Sequence, residues 1–491
     1  MSTNSNIATD LVFHFDNSYT QLPDGLFAKV MPQAAIHPSI ALFNHAYANT
    51  IGLDTTQIDE EELAAIFSGT KIPVNAAPIA QAYAGHQFGH FNMLGDGRAV
   101  LLGEHITPTG TRLDIQLKGS GQTPYSRRGD GKASLSAMLR EYIISEAMYA
   151  LGIPTSRSLA VIKTGETIYR DGMQEGAVLT RIAASHIRVG SFEYVSRFQS
   201  KEILQQFTQY VIKRHYPEIA GNDNVGLTLL KAVSNKQVSL IVNWLRVGFI
   251  HGVMNTDNMS IPGETIDYGP CAFMNRYNPA TVFSSIDTNG RYAFGNQAAI
   301  AQWNLACLAS SLLPLIDENE EKAVALAQEV IDGFATDYKN AWYQMMKNKL
   351  GLVDEQAGDK ELIESFLFWM KENKADYTNS FLALVLAGPN KLDEIYDTDG
   401  FKQWRINWQE RITYTSKKSL VLMQSVNPFV IPRNHLVEEA LAAATIANNY
   451  TKINSLLAVL ANPYTPQNGL EYFQLPPSER ACNSYQTFCG T

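Results

Sequence analysis

Polar and apolar positions alternate through RLDIQLKG at 112–119, and apolar residues then recur at helical spacing at Leu135, Met138, Leu139, Ile143, Ala147 and Leu151. The first pattern predicts a half-buried strand and the second an amphipathic helix over 134–151, with Ser134 at its N-cap. Upstream, GHQFGHFNMLGDG and RAVLLGEH extend a glycine-punctuated strand reading from Tyr83 to Gly119, a meander of antiparallel strands. Downstream, strand-like runs fall at 157–162, 167–169 and 177–182, with RDGMQEG read as the turn between the last two. Residues 1 to about 75 carry mixed short signals, among them a helix over 59–67 with acidic residues in its first turn.

Beyond Ser185 the period becomes helical, near 201–215, 227–247, 298–315, 320–349, 360–372 and 435–460. Two stretches interrupt it: the loop HGVMNTDNMSIPGETIDYGP, and FSSIDTNGRYAFGNQ, where Asn289-Gly290 signals a tight hairpin turn. The order predicts an α+β chain, a sheet-rich first lobe followed by a mostly helical second one. Its 491 residues exceed what one compact core supports, which also favours two lobes.

With 45% hydrophobic and 18% charged residues the whole chain is expected to fold. A net charge of -9 argues against a broad nucleic-acid surface while leaving room for a local basic cleft. The N-terminus shows no basic-then-apolar leader, and no run approaches a membrane span in uninterrupted apolar residues. The expectation is a cytoplasmic protein with no membrane and no nucleic-acid partner. The four cysteines, Cys271, Cys307, Cys482 and Cys489, lack the close pairing of a zinc knuckle or a dense disulfide scaffold.

Chemistry concentrates at HGVMNTDN, residues 251–258. A protein-kinase catalytic loop reads His-Arg-Asp with an Asn five positions after the Asp; here His251 and Asn258 match, and Val253 stands where the aspartate belongs. Ile-Asp267-Tyr268-Gly269 follows in the apolar-Asp-aromatic-Gly form of a metal-binding segment. Asn258 and Asp267 offer the hard oxygens that magnesium takes, or manganese. Valine accepts no proton, which argues against ordinary kinase chemistry at position 253, and Asp257 is the neighbouring carboxylate able to serve instead.

Lys118, closing a strand, and Glu141, inside the next helix, mirror the kinase lysine–glutamate pair. Gly95, Gly97 and Arg98, and Asp130 with Gly131, form glycine turns beside basic residues, as phosphate cradling requires. Arg181 and Arg188, seven positions apart, share a face if the segment between them is helical. These features assign a protein-kinase-like two-lobed fold: an N-terminal extension at 1–80 wrapping the core, an N-lobe at 81–184, a C-lobe at 185–315 with the catalytic and metal-binding loops, and a helical extension at 316–491.

The segments AYAGHQFGHFNMLGDGRA, DIQLKGSGQTPYSRRGDGK, LREYIISEAMYALGIPTSRSL and HGVMNTDNMSIPGETIDYGPCAFM closely resemble the selenoprotein O family. The resemblance covers most of the chain and is strongest from about 80 to 315. It implies a pseudokinase fold that binds ATP in a flipped orientation and transfers AMP to Ser, Thr or Tyr hydroxyls of proteins. Lys118 would then contact phosphate and pair with Glu141. Gly95, Gly97, Arg98, Asp130, Gly131, Arg181 and Arg188 would line the nucleotide site. Asn258 and Asp267 would bind magnesium, and Asp257 would accept the proton. Some members carry selenocysteine near the C-terminus; here Cys489 is nearest that place, and a redox pairing of Cys271 with Cys489 is the corresponding expectation.

Three readings stay open at this point: an AMP transferase, a phosphoryl-transferring protein kinase, and a catalytically silent ATP-binding scaffold. Val253 separates the first two, and the joint presence of Asp257, Asn258 and Asp267 favours catalysis over the scaffold.

Overall fold

The computed structural model describes residues 11–386, 394–467 and 469–487. Ten strands build its first half: β1 (Phe27–Lys29), β2 (Ser39–Phe43), β3 (Ile79–Gln81), β4 (Ala84–Gln87), β5 (His90–Met93), β6 (Ala99–Ile106), β7 (Arg112–Lys118), β8 (Ala133–Ser134), β9 (Arg157–Arg170) and β10 (Gly172–Ala183). Eight of them form one sheet in the order β1-β3-β6-β7-β10-β9-β2, with β8 attached to β10, while β4 and β5 make a separate hairpin.

Alternation along β7 gives the sheet two uses. Ile115 and Leu117 pack with Leu63, Ile66 and Phe67 of helix Glu60–Ser68 in one apolar cluster. Gln116 and Lys118 point the other way, because successive side chains in a strand leave on opposite faces. Antiparallel pairing sets Arg181 of β10 opposite Gln116 and Leu179 opposite Lys118. Helix Leu135–Ala150 lies against β9 and β10, and Ser134 caps it by accepting from the Ala137 amide at 3.4 Å.

The second half is helical. Helices Val225–Val247, Gln297–Ile316 and Glu320–Lys349 pack on one another. Phe294–Ile316 is long and apolar enough to cross a membrane by length and composition, which the search for an uninterrupted apolar run did not register. Its polar side chains serve the core: Gln297 donates to the Phe249 carbonyl at 3.0 Å and Asn304 to that of Met254 at 3.0 Å. The C-terminal helix Asn434–Ala447 braces helix Leu135–Ala150, where Glu438 pairs with Arg140 at 2.7 Å. Arg433, 1% exposed, is held by Asp376 at 2.5 Å.

Four sequence expectations are corrected. The runs at 157–162 and 167–169 are one strand, β9, and most of RDGMQEG belongs to β10; Gly165, at φ 73°, and a register shift between Glu175 and Ala177 absorb the irregularity. The 435–460 helix is two, Asn434–Ala447 and Thr451–Leu460, broken at Asn448 with φ 48°. The FSSIDTNGRYAFGNQ segment forms no hairpin: the Asp287 carboxylate takes the amides of Arg291 and Tyr292, both at 2.8 Å, so they are unavailable to a strand ladder. The segment joining Arg181 to Arg188 is not helical. Arg181 sits on β10, and Arg188 is the extended N-cap of a helix, Val189–Phe198, that periodicity missed.

On the face of β7 that carries Gln116 and Lys118, His186 bonds Asp114 through its Nδ1 at 3.0 Å, and His215 Nε2 meets the Ser185 hydroxyl at 2.8 Å. Burial outweighs these partners and holds His186 down to about 4 and His215 down to about 3. An unfolded chain protonates both near 6.5, so it binds more protons than the folded one between pH 6.5 and 4. Stability is therefore full above that window and falls on acidification, by roughly 1.4 kcal/mol per group per pH unit. Urea midpoints measured from pH 7 to 5 should drop steeply, and the double variant His186→Gln/His215→Gln should flatten the slope; an unaltered slope contradicts the assignment.

Candidate active site

The inward face of β7 and β10 meets the 251–269 loop across a cleft of about 490 Å³. Lys118 Nζ lies 2.5 Å from Glu141 Oε2 and 2.6 Å from Asp267 Oδ1, so one buried ammonium bridges the helix and the loop. Glu141 also receives Arg181 Nη1 at 3.3 Å, and Arg181 Nη2 donates to Gln116 Oε1 at 2.6 Å. Burial would raise the Asp267 carboxyl, but Lys118 and then Arg98 outweigh it and hold it well below the usual carboxylate range.

Arg188 closes the same wall. Its Nη2 lies 3.6 Å from Asp96 Oδ1, its Nη1 donates to the Asp257 carbonyl at 3.2 Å, and its guanidinium sits 4.3 Å over the Tyr83 ring. Arg181 and Arg188 are 4% and 5% exposed, yet both face the cleft. Sequence thus placed both arginines here for the wrong local reason.

Asp257 occupies a short 3-10 turn, Thr256–Asn258, and is buried. Its Oδ1 has no hydrogen-bond partner. Burial, opposed by Arg188 and reinforced by Asp267 and Glu193, pushes its carboxyl up to about 6. Gly85 of β4 permits this approach: a Cβ there would lie 2.4 Å from Asp257 Oδ1. Val253 lines the cleft without offering a proton acceptor.

The loop is fixed from behind. His251 Nε2 meets the Ile266 carbonyl at 2.9 Å, and Trp244 Nε1 donates to Thr265 Oγ1 at 2.8 Å. Asp267 itself has φ 65°, an uncommon conformation for a residue with a side chain. Such strain is held by the surrounding bonds and turns the carboxylate toward Lys118.

Residues present fit a magnesium-type ion. Asn258 Nδ2 donates to the Val253 carbonyl at 3.1 Å, which fixes the rotamer and leaves the amide oxygen without a donor among the described residues. With the Asp267 carboxylate on the same cleft, the donor set is all oxygen, as magnesium or manganese prefers.

The glycine turns form the opposite wall. Gly95, at φ 138°, packs where a Cβ would lie 2.4 Å from the Tyr125 ring, and a Cβ on Gly131 would lie 2.1 Å from the Gly121 carbonyl. Gly97 and Arg98 line the cleft beside them. Asp130 and Gly131 also line the cleft, and Asp130 is held there by Arg170, bidentately at 2.8 and 2.9 Å, and by the Lys132 amide, which donates to it at 2.9 Å. Asp96 and Gln116 were missed. Both had a legible signal, Asp96 between the two selected glycines and Gln116 two places before Lys118 on the same strand face.

Cys271 is buried beneath this loop, its thiol donating to the Tyr268 carbonyl at 3.3 Å and pushed up to about 12 by burial. The expected partner, Cys489, lies outside the described residues.

A strand lysine paired with a helix glutamate, facing the side-chain oxygens of Asn258 and Asp267 under glycine turns, defines a nucleotide-handling enzyme of protein-kinase-like architecture. Sequence comparison supplies the family. The profile described as "Protein adenylyltransferase SelO" matches residues 10–461, so this chain belongs to the SelO family and is a nucleotidyltransferase. It is 54% identical over 484 residues to "Protein nucleotidyltransferase YdiU" of Brevibacillus brevis, covering 98% of each chain. The same description applies to relatives in Nitrosococcus oceani, 53% identical over 98% of each chain, and Geobacillus kaustophilus, 53% identical over 98% of this chain and 100% of that one. Among solved structures, ROP2 from Toxoplasma gondii, a virulence factor with a protein-kinase fold and no enzymatic activity, matches with a TM-score of 0.23 and 13% identity, covering 68% of this chain and 87% of that one. At that score the match bears on neither the fold nor the function.

Proposed function

We propose that this enzyme transfers AMP from ATP to Ser, Thr or Tyr hydroxyls of protein substrates in the cytoplasm and releases pyrophosphate. The observation that carries the reading is the placement of Arg181 and Arg188, both nearly inaccessible, on the cleft wall. Buried guanidiniums offer paired N–H donors that match phosphate oxygens. A nucleotide whose outer phosphates reach these arginines presents its α-phosphorus toward Asp257 and Asn258.

In this arrangement Lys118, Arg181 and Arg188 bind and orient the phosphates, and Glu141 holds Lys118 and Arg181 in place. The substrate hydroxyl oxygen forms a bond to the α-phosphorus as the bond to the bridging oxygen breaks. The hydroxyl proton passes to the Asp257 carboxylate, whose Oδ1 has no competing donor. Asn258 and Asp267 would hold magnesium or manganese, which when bound supplies charge neutralisation on the phosphate oxygens.

The test is incubation of the enzyme and a protein acceptor with ATP labelled at the α or the γ position. Label from the α position alone, with an added AMP mass on a hydroxyl residue, is expected. Label from the γ position would instead establish a phosphoryl-transferring kinase, and no label from either position a silent scaffold.

A further inference from the structure

Outside the nucleotide cleft, three ligand-type side chains from three elements converge. His86 of β4, Glu193 of helix Val189–Phe198 and Cys307 of helix Gln297–Ile316 bring a ring nitrogen, a carboxylate oxygen and a sulfur within 4.8 Å of one another. His86 Nδ1 and Glu193 Oε1 are in direct contact. Glu193 is only 5% exposed, and its other oxygen, Oε2, is buried with no hydrogen-bond partner. Leaving such an atom unsatisfied costs on the order of 1–3 kcal/mol. None of the three side chains touches the phosphates or the transferred group in the chemistry described above; Glu193 acts on Asp257 only through its charge.

An ordinary histidine–glutamate hydrogen bond would explain the His86 contact. It explains neither the orphaned Oε2 nor the nearby thiol. Beside the trio opens a separate cavity of about 380 Å³, walled by Phe91, Trp303, Ser196 and Ser310, through which an ion and a water can enter. The rings of Phe91 and Trp303 each stand edge-on to His86, with centroids 5.3 Å away, and restrict its orientation. Arg197 stacks on Phe91 and Arg291 on Trp303, at 4.3 and 4.7 Å from the ring centroids, so both flanking cations are engaged by aromatic faces.

We propose that His86, Glu193 and Cys307 form a binding site for a divalent transition-metal cation of the zinc class, with solvent from the adjoining cavity as the fourth ligand. The donor set decides the class. Imidazole and thiolate are poor ligands for magnesium or calcium, which take oxygen, whereas zinc accepts nitrogen, oxygen and sulfur in one tetrahedral shell. Metal bonds of about 2.0–2.3 Å require the three donor atoms to draw closer than they stand here. A rotation of the half-buried Cys307 side chain supplies that movement. On binding, the Cys307 thiol releases its proton to solvent and the His86–Glu193 contact opens to admit the ion between them.

The ion would join the β4–β5 hairpin to two helices, Val189–Phe198 and Gln297–Ile316, that pack on each other. The His86 amide donates to Thr256 Oγ1 at 2.7 Å, immediately before Asp257. The site stands independently of which group the enzyme transfers, because its donors contact no nucleotide-binding residue through their side chains.

Cobalt(II) is the probe. Added to the reduced, metal-stripped full-length chain, it should bind in one equivalent and produce a thiolate-to-cobalt charge-transfer band with intensified four-coordinate visible bands. Zinc should abolish both signals and excess magnesium should not. Cys307→Ser should lose the charge-transfer band with its melting temperature and magnesium-supported AMP transfer unchanged. On the wild-type chain, zinc should shield Cys307, and not Cys482, from alkylation by N-ethylmaleimide mapped by peptide mass. Absence of the charge-transfer band in the wild type, its persistence in Cys307→Ser, or equal alkylation of Cys307 with and without zinc would each overturn the proposal.

Discussion

Asp267→Ala is expected to reduce AMP transfer to background, the largest loss of any single substitution at this site. The change removes one of the two oxygen ligands assigned to the magnesium-type ion, and it also removes the carboxylate 2.6 Å from Lys118. Loss of a metal that neutralises charge on the phosphates removes several kcal/mol of transition-state stabilisation. Chelation of divalent cations should give the same result in the wild type, with recovery on adding magnesium or manganese. Asp267→Ala activity within about tenfold of wild type, at saturating magnesium, would contradict the ligand assignment.

Asp257→Asn should lower kcat by about 10²–10⁴-fold while leaving ATP binding intact, the range that a positioned proton acceptor contributes. The substitution is isosteric and removes a buried charge whose Oδ1 has no partner, so the melting temperature should hold or rise. That pairing separates loss of chemistry from loss of fold. Wild-type kcat in Asp257→Asn would show that the hydroxyl needs no help from this carboxylate. A parallel fall in nucleotide affinity would instead place Asp257 in binding.

How much of this was legible beforehand depends on how locally each feature is encoded. Lys118 and Glu141 were visible because a period-two strand and a period-3.6 helix adjoin, and each pattern assigns a face without knowledge of the other. Ser134 announced its own cap for the same reason. Helix Val189–Phe198 was overlooked although Val189, Phe192 and Val195 recur at helical spacing, because it is only ten residues long and starts directly after the extended Arg188. The condition under which Arg181 and Arg188 would share a helical face is not met, since Arg181 lies on a strand and Arg188 is extended.

Asp257 shows the other limit. Its type and position suggested a substitute for the residue missing at Val253, but its deep burial comes from chain segments far away in sequence. Gly85 makes room for it, and Arg188 crosses behind it. Side-chain chemistry was readable at the motif; the environment that tunes it was distributed across both lobes. The turn at Asn289-Gly290 forms, with the Gly290 amide donating to the Asp287 carbonyl at 3.2 Å, but the hairpin around it does not, for a related reason. Asp287 captures two amides that a hairpin needs, and a dipeptide signal does not weigh such competition.

The central claim is that the nucleotide lies reversed, with its outer phosphates toward the buried arginines. A crystal structure with magnesium and a non-hydrolysable ATP analogue measures this directly. The account predicts the γ-phosphate bonded to Arg181 and Arg188 and the α-phosphorus facing Asp257. Adenine against Arg181 and Arg188, with the γ-phosphate at the cleft mouth beside Asp257, would contradict it.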